Sequence, residues 1–342
     1  MAHQIILKNS VDLSKYRDVW NDLYTSVAQK VTIFQSYEFI CSAVDGTSEL
    51  FVIVGVERNA IEYIFPFELN KGTLRFIGDN HSDYCMPLIS NCIANKYALF
   101  KRIFKIILAE GHIRRLALYN LPHDADILNY SKTILGNKAY VYSYTEVSHL
   151  LLEGKDALSA IRHLNSSSKS ELKRVIKYHQ KTEHRVVTNS AAFPRTEIIS
   201  LKEAMIKNGL RDKRFFDGSL EKTCKTMFDG GHLVVSLLEK DCEVQSASLV
   251  LKYGNTRLMW VDLYNDIKMI NLYNYVKYID YELALNQGVN IDFGRGGYDY
   301  KVKNFQPNML NLYNLEFSKR FMDSPRNYYM TTRRFIKSII KK

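Results

Sequence analysis

The sequence predicts an α/β chain of the α+β kind, with two similar domains in tandem, each a mixed, mostly antiparallel sheet flanked by helices. Three observations carry this. The order hairpin, strand, helix, strand is legible twice, over residues 50–119 and again over 233–293. The 342 residues exceed the usual size of one domain. A boundary fits between His149 and Asp156, just before the next long helix, which gives domains of 1–152 and 153–342.

In the first half, Val11 to Lys30 reads as a helix with Trp20, Leu23, Tyr24 and Val27 on one face, and Phe34 to Ala43 as a second. Leu50–Glu57 and Ile61–Glu68 read as a hairpin around Arg58-Asn-Ala60, with a further strand near Thr73–Ile77. An amphipathic helix, Lys96–Glu110, is ended by Gly111, and Arg115–Tyr119 is a short strand. No residue-level repeat joins the halves.

In the second half, Leu233–Leu238 and Val244–Leu251 form a hairpin around Glu239-Lys-Asp-Cys-Glu243. Arg257–Leu263 is a third strand. Leu272–Asn286 is a helix that Gly288 is placed to end. Val289–Phe293, short and β-branched, should lie parallel to the third strand through a right-handed crossover.

Several short motifs sit on this frame: Gly231-His-Leu233, Trp260, Asp292-Phe-Gly294 and Tyr300-Lys301, with Trp20-Asn-Asp-Leu23, Phe34-Gln-Ser36 and Ser82-Asp-Tyr84 in the first half. Together they resemble the tandem GNAT acyltransferases of the polysaccharide-biosynthesis (cellulose-biosynthesis-type) group, and within it the N-acyltransferases of nucleotide-linked amino sugars. The resemblance covers most of the chain. It implies acyl-CoA as co-substrate, no metal, and transfer of an acetyl or 3-hydroxyacyl group such as 3-hydroxybutyryl. The acceptor it implies is the amine of a nucleotide-linked (dTDP) amino-dideoxy sugar used for surface polysaccharide.

In such enzymes the third strand flanks the thioester, and a glycine-rich loop with the following helix N-terminus holds the pyrophosphate. The corresponding residues are Trp260, Val261, Asn265, Lys268, Ile270 and Asn271, with Tyr298 after the last strand. Asn265–Asn271 contains no glycine, so amide geometry there must do without one, and a plain strand-to-helix turn explains the same residues. Transfer to an amine needs an oxyanion donor, positioning, and acid and base groups. Asp262 and Asp83 are the candidate bases; Tyr264 and Tyr300 are the candidate thiolate acids. For the acceptor the candidates are His81, Tyr84, Asp292, Arg295 and Lys301, with Lys169, Lys173 and Arg174 from the basic run. Bland readings stand beside these: an Asx turn for the residues around Ser82, a turn cap for Asp292, and a solvated helix face for the lysines.

Composition narrows the alternatives. Lys+Arg exceed Asp+Glu by 47 to 36, a net charge of +11, which favours an anionic partner. CoA and nucleotide diphosphates satisfy it; DNA and RNA are not expected as partners. The 5 cysteines show no Cys-x-x-Cys, a reduced cytoplasmic location is expected, and no apolar run approaches the roughly 18 residues of a membrane span. Histidine and cysteine spacing suggests no metal site, and Gly-x-Ser-x-Gly is absent. Two other readings stay open. One is a Fem-like transferase fed by aminoacyl-tRNA; the other is a GNAT-like binding protein without catalysis.

Overall fold

The computed structural model describes residues 3–27, 32–44, 46–57, 60–151, 166–265, 267, 269–286, 288–296, 303, 305 and 307–319. They divide into two compact units, Met1–Tyr144 with Asn311–Lys342, and Thr145–Leu310.

In the first unit, β1 (His3–Leu7) leads into α1 (Ser10–Ser14) and α2 (Arg17–Ser26), which replace the single helix expected over 11–30. The reason is local. Asn9 caps α1 by accepting the Asp12 N–H, and the Lys15 N–H turns back to the Asp12 carbonyl, so one turn closes on itself. Phe34 likewise belongs to a tight turn, Ile33–Gln35, and α3 (Tyr37–Ala43) begins only after Ser36, whose hydroxyl accepts the Phe39 N–H. The hairpin of β2 (Glu49–Glu57) and β3 (Ala60–Asn70) is followed by β4 (Thr73–Phe76), β5 (Leu88–Ile89), α4 (Lys96–Ala109), β6 (Arg115–Pro122), α5 (Asp126–Leu135) and β7 (Ala139–Leu151). Apolar residues at helical spacing on α4, Phe100, Ile103, Phe104 and Ile107, meet Phe65, Phe67 and Phe76 of the sheet in one core.

The second unit holds α6 (Ser166–His179), β8 (Glu183–Val187), α7 (Arg195–Lys207), α8 (Gly218–Asp229), β9 (Leu233–Lys240), β10 (Glu243–Tyr253), β11 (Thr256–Tyr264), α9 (Ile270–Leu285) and β12 (Asn290–Arg295). The β9–β10 turn is two residues long, and Asp241 and Cys242 both take positive φ, 52° and 64°. That is the twist-matched hairpin turn, built here without glycine. α9 ends at Leu285, where the Asn286 N–H bonds the Glu282 carbonyl at 2.8 Å. Gly288, expected to end the helix, lies beyond it.

The strand order follows one plan in both units. In the first unit the order is β1, β2, β3, β4, β6 and then β13 (Asn308–Ser318); in the second it is β8, β9, β10, β11, β12 and then β7. In both, the fourth and fifth strands are parallel and the other neighbours antiparallel. The sixth strand of the first unit, β13, follows the whole second unit in sequence, whereas β7 runs directly into the second unit. The sequence reading carried the second domain to the C-terminus, but Leu312–Ser318 pair with β6, and Leu315 and Phe317 pack into the first core.

Alternation along β9, β10 and β11 separates two faces in the second unit. α9 and α6 cover Val234, Leu238, Val250 and Met259, together with a polar network. In it the buried Asn274 of α9 donates to the Ser236 carbonyl at 3.0 Å and to Ser246 Oγ at 3.2 Å, and Ser236 Oγ contacts His184 Nε2 at 2.9 Å. Burial first, and then the charge of Lys277, push the His184 imidazole down to about 4. Its folded value lies below the unfolded one, so the stability it contributes is complete above the unfolded value near 6.5 and is lost as pH falls towards 4. The thermal midpoint is therefore expected to drop between pH 6.5 and 4, and less steeply in His184→Gln. Thermal unfolding across that range checks it; parallel curves would remove His184 as the cause.

Candidate active site

The parallel ladder between β11 and β12 is short. Its rungs are Thr256 with Asn290, Arg257 with Ile291 and Leu258 with Asp292, and no further rung occurs among the described residues. β11 nevertheless stays paired with β10 as far as Tyr264 opposite Ser246. The ladder therefore ends at Leu258, and among the described residues Met259–Tyr264 and Phe293–Arg295 border an unpaired gap, or slot. The divergence has a local cause. Leu249 lies opposite Val261 while Val250 lies opposite Met259, which leaves Trp260 as the extra residue of a bulge. A bulge bends its strand and increases its twist, and it sits where β11 leaves β12. The slot opens at the C-terminal ends of two parallel strands, the usual ligand edge of open α/β sheets.

Above the slot, the chain turns from β11 into α9. Asn265 is anchored by its N–H to the Gln245 carbonyl at 3.1 Å and by its side-chain amide to Gln245 Oε1. The loop lacks glycine, yet Met269 takes φ 57° and ψ 28° at the N-cap of α9. Thus one position does need the left-handed region, and a methionine pays about 1–3 kcal/mol of backbone strain to occupy it. The α9 N-terminus has no side-chain cap and no acidic residue in its first turn, so the helix itself supplies nothing that offsets its partial positive charge. Ile270 is buried core, and its N–H bonds the Ile267 carbonyl; Asn271 is half-buried beside it. Lys268, Tyr298, Tyr300 and Lys301 lie outside the described residues.

Along the walls, Trp260 is half-buried and Val261 buried, on the bulge itself. Asp262 projects towards α9, where it accepts from Ser248 Oγ at 2.9 Å and from the Tyr275 hydroxyl. The Tyr275 ring reaches the other wall, 5.7 Å from that of Phe293. Ser248 and Tyr275 were not singled out in the sequence; the cross-strand position of Ser248 opposite Asp262 was the available signal. Tyr264 closes β11, half-buried against the α9 core, and Arg295 closes β12, paired with Val147 of β7. Asp292 is wholly buried: Oδ1 accepts the Gly294 N–H at 2.7 Å, and Oδ2 lies 3.3 Å from the Tyr253 hydroxyl. This is the turn-cap reading of Asp292, with Gly294 at φ 66° completing the turn.

The first-unit candidates form a separate group in their own unit. There β4 and β6 also part after two parallel rungs, Thr73 with Arg115 and Leu74 with Leu116. The loop after β4 is fastened to β6 by Asn120, whose side-chain amide donates to the Asp79 and Ser82 carbonyls, both at 3.0 Å, while its own carbonyl accepts the Cys85 N–H. Ser82, Asp83 and Tyr84 are buried in this arrangement and His81 is half-buried. The motif residues Trp20 and Gln35 serve the same loop: Trp20 Nε1 donates to the Gln35 carbonyl and Gln35 Nε2 to the Tyr84 carbonyl, at 3.0 and 2.9 Å.

On α6, Lys169, Lys173, Arg174 and Lys177 all face solvent, and Tyr178 is 70% exposed beside them. Among the described residues no carboxylate lies within ion-pair distance of these cations. No metal-binding cluster of His, Cys, Asp and Glu occurs among the described residues, nor a helix long and apolar enough to cross a membrane.

No family model matches the chain, and no curated protein matches it significantly. Solved structures do. The C-terminal domain of a putative lysylphosphatidylglycerol synthetase from Agrobacterium fabrum aligns over 94% of this chain and 96% of its own, at 12% identity and TM-score 0.61. FemX aligns over 92% and 96%, at 9% identity and TM-score 0.59. A tandem GNAT protein from the clavulanic acid pathway aligns over 92% and 98%, at 11% identity and TM-score 0.53. The fold is thus the GNAT fold, in tandem.

Proposed function

We propose that the chain is an acyltransferase whose second unit takes acyl-CoA into the β11–β12 slot and passes a short acyl group to the amine of a nucleotide-linked amino sugar. The observation that carries this is the parting of β11 from β12 at the Trp260 bulge, below a helix N-terminus without an acidic first turn. The pantetheine arm would run along Met259–Tyr264 with the thioester carbonyl near Trp260 and Val261. The pyrophosphate would meet the amides of Asn265–Asn271 and the charge of Lys268. Asp262, held by two hydroxyls, fixes the β11 wall as well as being a candidate base. Tyr264, Tyr298 and Tyr300 are proposed for the thiolate, and Arg295, Lys301, Lys169, Lys173 and Arg174 for the acceptor's phosphates. His81, Asp83 and Tyr84 are proposed for acceptor recognition on their sequence pattern alone.

A screen of several acyl-CoAs against nucleotide-linked amino sugars, read as free thiol released, tests the reading. Stabilisation by acyl-CoA and amine-dependent thiol release are expected. The absence of both acyl-CoA binding and acyl-CoA consumption would overturn it. A second reading, transfer from aminoacyl-tRNA, is favoured by one observation: α6 offers more uncompensated cations than one pyrophosphate needs, with an exposed aromatic ring among them. The same screen run with charged tRNA distinguishes the two.

A further inference from the structure

α6 precedes β8, the first strand in the order of the second sheet, and packs against α9 with Leu172 and Val175 in the shared core. One contact fixes where it ends. The His179 ring stacks on that of Tyr273, with centroids 5.5 Å apart and planes inclined by 30°, and Lys277 Nζ lies 5.7 Å from the centre of the same tyrosine ring. Tyr273 belongs to the first turn of α9, so the C-terminal end of α6 stands beside the N-terminal end of α9. That is the end at which the chain turns over from β11, above the mouth of the slot.

Three exposed side chains gather at this end of α6: Lys177, Tyr178 and Lys181. The Tyr178 ring meets His179 edge-on, at 4.8 Å and 79°, and is otherwise open to solvent. The Thr182 N–H bonds the His179 carbonyl at 2.9 Å and closes the turn that carries Lys181. Among the described residues neither lysine has a carboxylate within ion-pair distance. Lys169, two turns earlier on the helix, is about 12 Å away along the axis, so the far end of the basic stripe does not share a single phosphate with Lys177. An exposed aromatic face between two uncompensated cations offers a base something to stack on and a phosphate something to pair with. A pyrophosphate and a pantetheine arm would use neither.

We propose that the end of α6 holds the adenosine 3′-phosphate half of the donor, with Tyr178 stacked on the adenine and Lys177 and Lys181 paired with the 3′-phosphate. This rests on the acyl-CoA reading above and adds that the donor's nucleotide, besides its arm, is selected. The helix that does so lies before β8, outside the strand, helix, strand unit that forms the slot.

The test is the kinetics of thiol release by the full chain, with the amine found in the screen. Tyr178→Ala is expected to raise the KM for acyl-CoA about 5- to 100-fold, the range that stacking on one base spans, with kcat little changed. Replacing both Lys177 and Lys181 with alanine should raise it about 5- to 20-fold at low salt and less at high salt. Wild type should favour acyl-CoA over acyl-dephospho-CoA, and the double-lysine variant should not tell them apart. With an S-acyl-pantetheine, which has no nucleotide, every variant should match wild type. Adenosine 3′,5′-diphosphate alone should raise the thermal midpoint of wild type and not that of Tyr178→Ala. Lys101→Ala, which removes an exposed charge from α4 of the first unit, controls for net charge. An unchanged KM for acyl-CoA in the α6 variants, an equal rise with the pantetheine substrate, or the same rise in Lys101→Ala would overturn the assignment and leave the acyl-CoA reading standing. So would a loss of tRNA binding in the α6 variants with the KM for acyl-CoA intact, which gives this end of α6 to RNA. If the wild-type chain neither binds acyl-CoA nor releases thiol, the acyl-CoA reading fails and this assignment fails with it.

Discussion

Replacing Arg257 with methionine is expected to destabilise the second unit by about 3–5 kcal/mol, the usual cost of stripping one partner from a buried ion pair. Arg257 Nε lies 3.0 Å from Glu282 Oε1, and the two side chains are only 12% and 4% exposed. Glu282 also accepts from the Tyr278 hydroxyl at 2.6 Å and the Asn286 amide at 3.2 Å, so its carboxylate is the centre of a network tying α9 to β11. Without Arg257 that charge remains in a low-dielectric site with neutral hydrogen-bond donors, and among the described residues only the charge of Lys252 acts on it besides. Set against a typical domain stability of about 5–15 kcal/mol, the loss is large. Adding Glu282→Gln keeps an acceptor for Tyr278 while removing the charge, so the double variant should recover part of the loss. Urea denaturation of both variants reads the effect. A cost below about 1 kcal/mol in Arg257→Met, or a double variant less stable than the single one, would show that the pair is not what holds these elements together.

Ending the chain before β13 should have a comparable effect on the first unit. A chain stopped after residue 307 loses Leu312, Leu315 and Phe317, each buried, at roughly 1.5–3 kcal/mol apiece. It also exposes the full edge of β6. Two internal contacts go with them: the pair between Arg115 and the buried Glu316, to which Tyr142 also donates at 3.0 Å, and the Asn314 side-chain oxygen that accepts the Asn120 N–H. A chain stopped after Lys319 keeps all of these and is the control. The shorter chain is expected to be poorly soluble or to lose one cooperative unfolding step, whereas the control is not. Equal stability of the two would mean that β13 contributes no more than its exposed surface.

Much of this architecture was legible because each element carries its own signal. The hairpins show period-two alternation, α4 and α9 show helical spacing, and the crossover order appears twice. What escaped was non-local. Nothing in Leu312-Tyr-Asn-Leu-Glu-Phe-Ser318 says that its partner is β6, some two hundred positions earlier, because pairing across that separation leaves no periodic trace. The split of α1 from α2 was missed because the Trp20 face continues in phase while a backbone turn at Lys15 interrupts it. At the site, the strand end and the loop were readable from the position of Trp260 and Asp262. Met269 in a left-handed conformation was not, since only glycine or asparagine advertises that geometry. The closeness of His149 to Asp292 could not be foreseen, since the two meet only through strand pairing.

The placement of β13 also sets the order in which the chain can mature on a ribosome. The second unit is continuous, Thr145–Leu310, and has all its strands once β12 has emerged, with β7 already made. The first unit, though synthesised first, waits for the segment that ends at Ser318. At about 5–20 residues per second, β6 stays without its last neighbour for roughly ten to forty seconds. During that interval the nascent chain carries an open strand edge that only its own late segment is shaped to close, so the part made earliest is the part finished last.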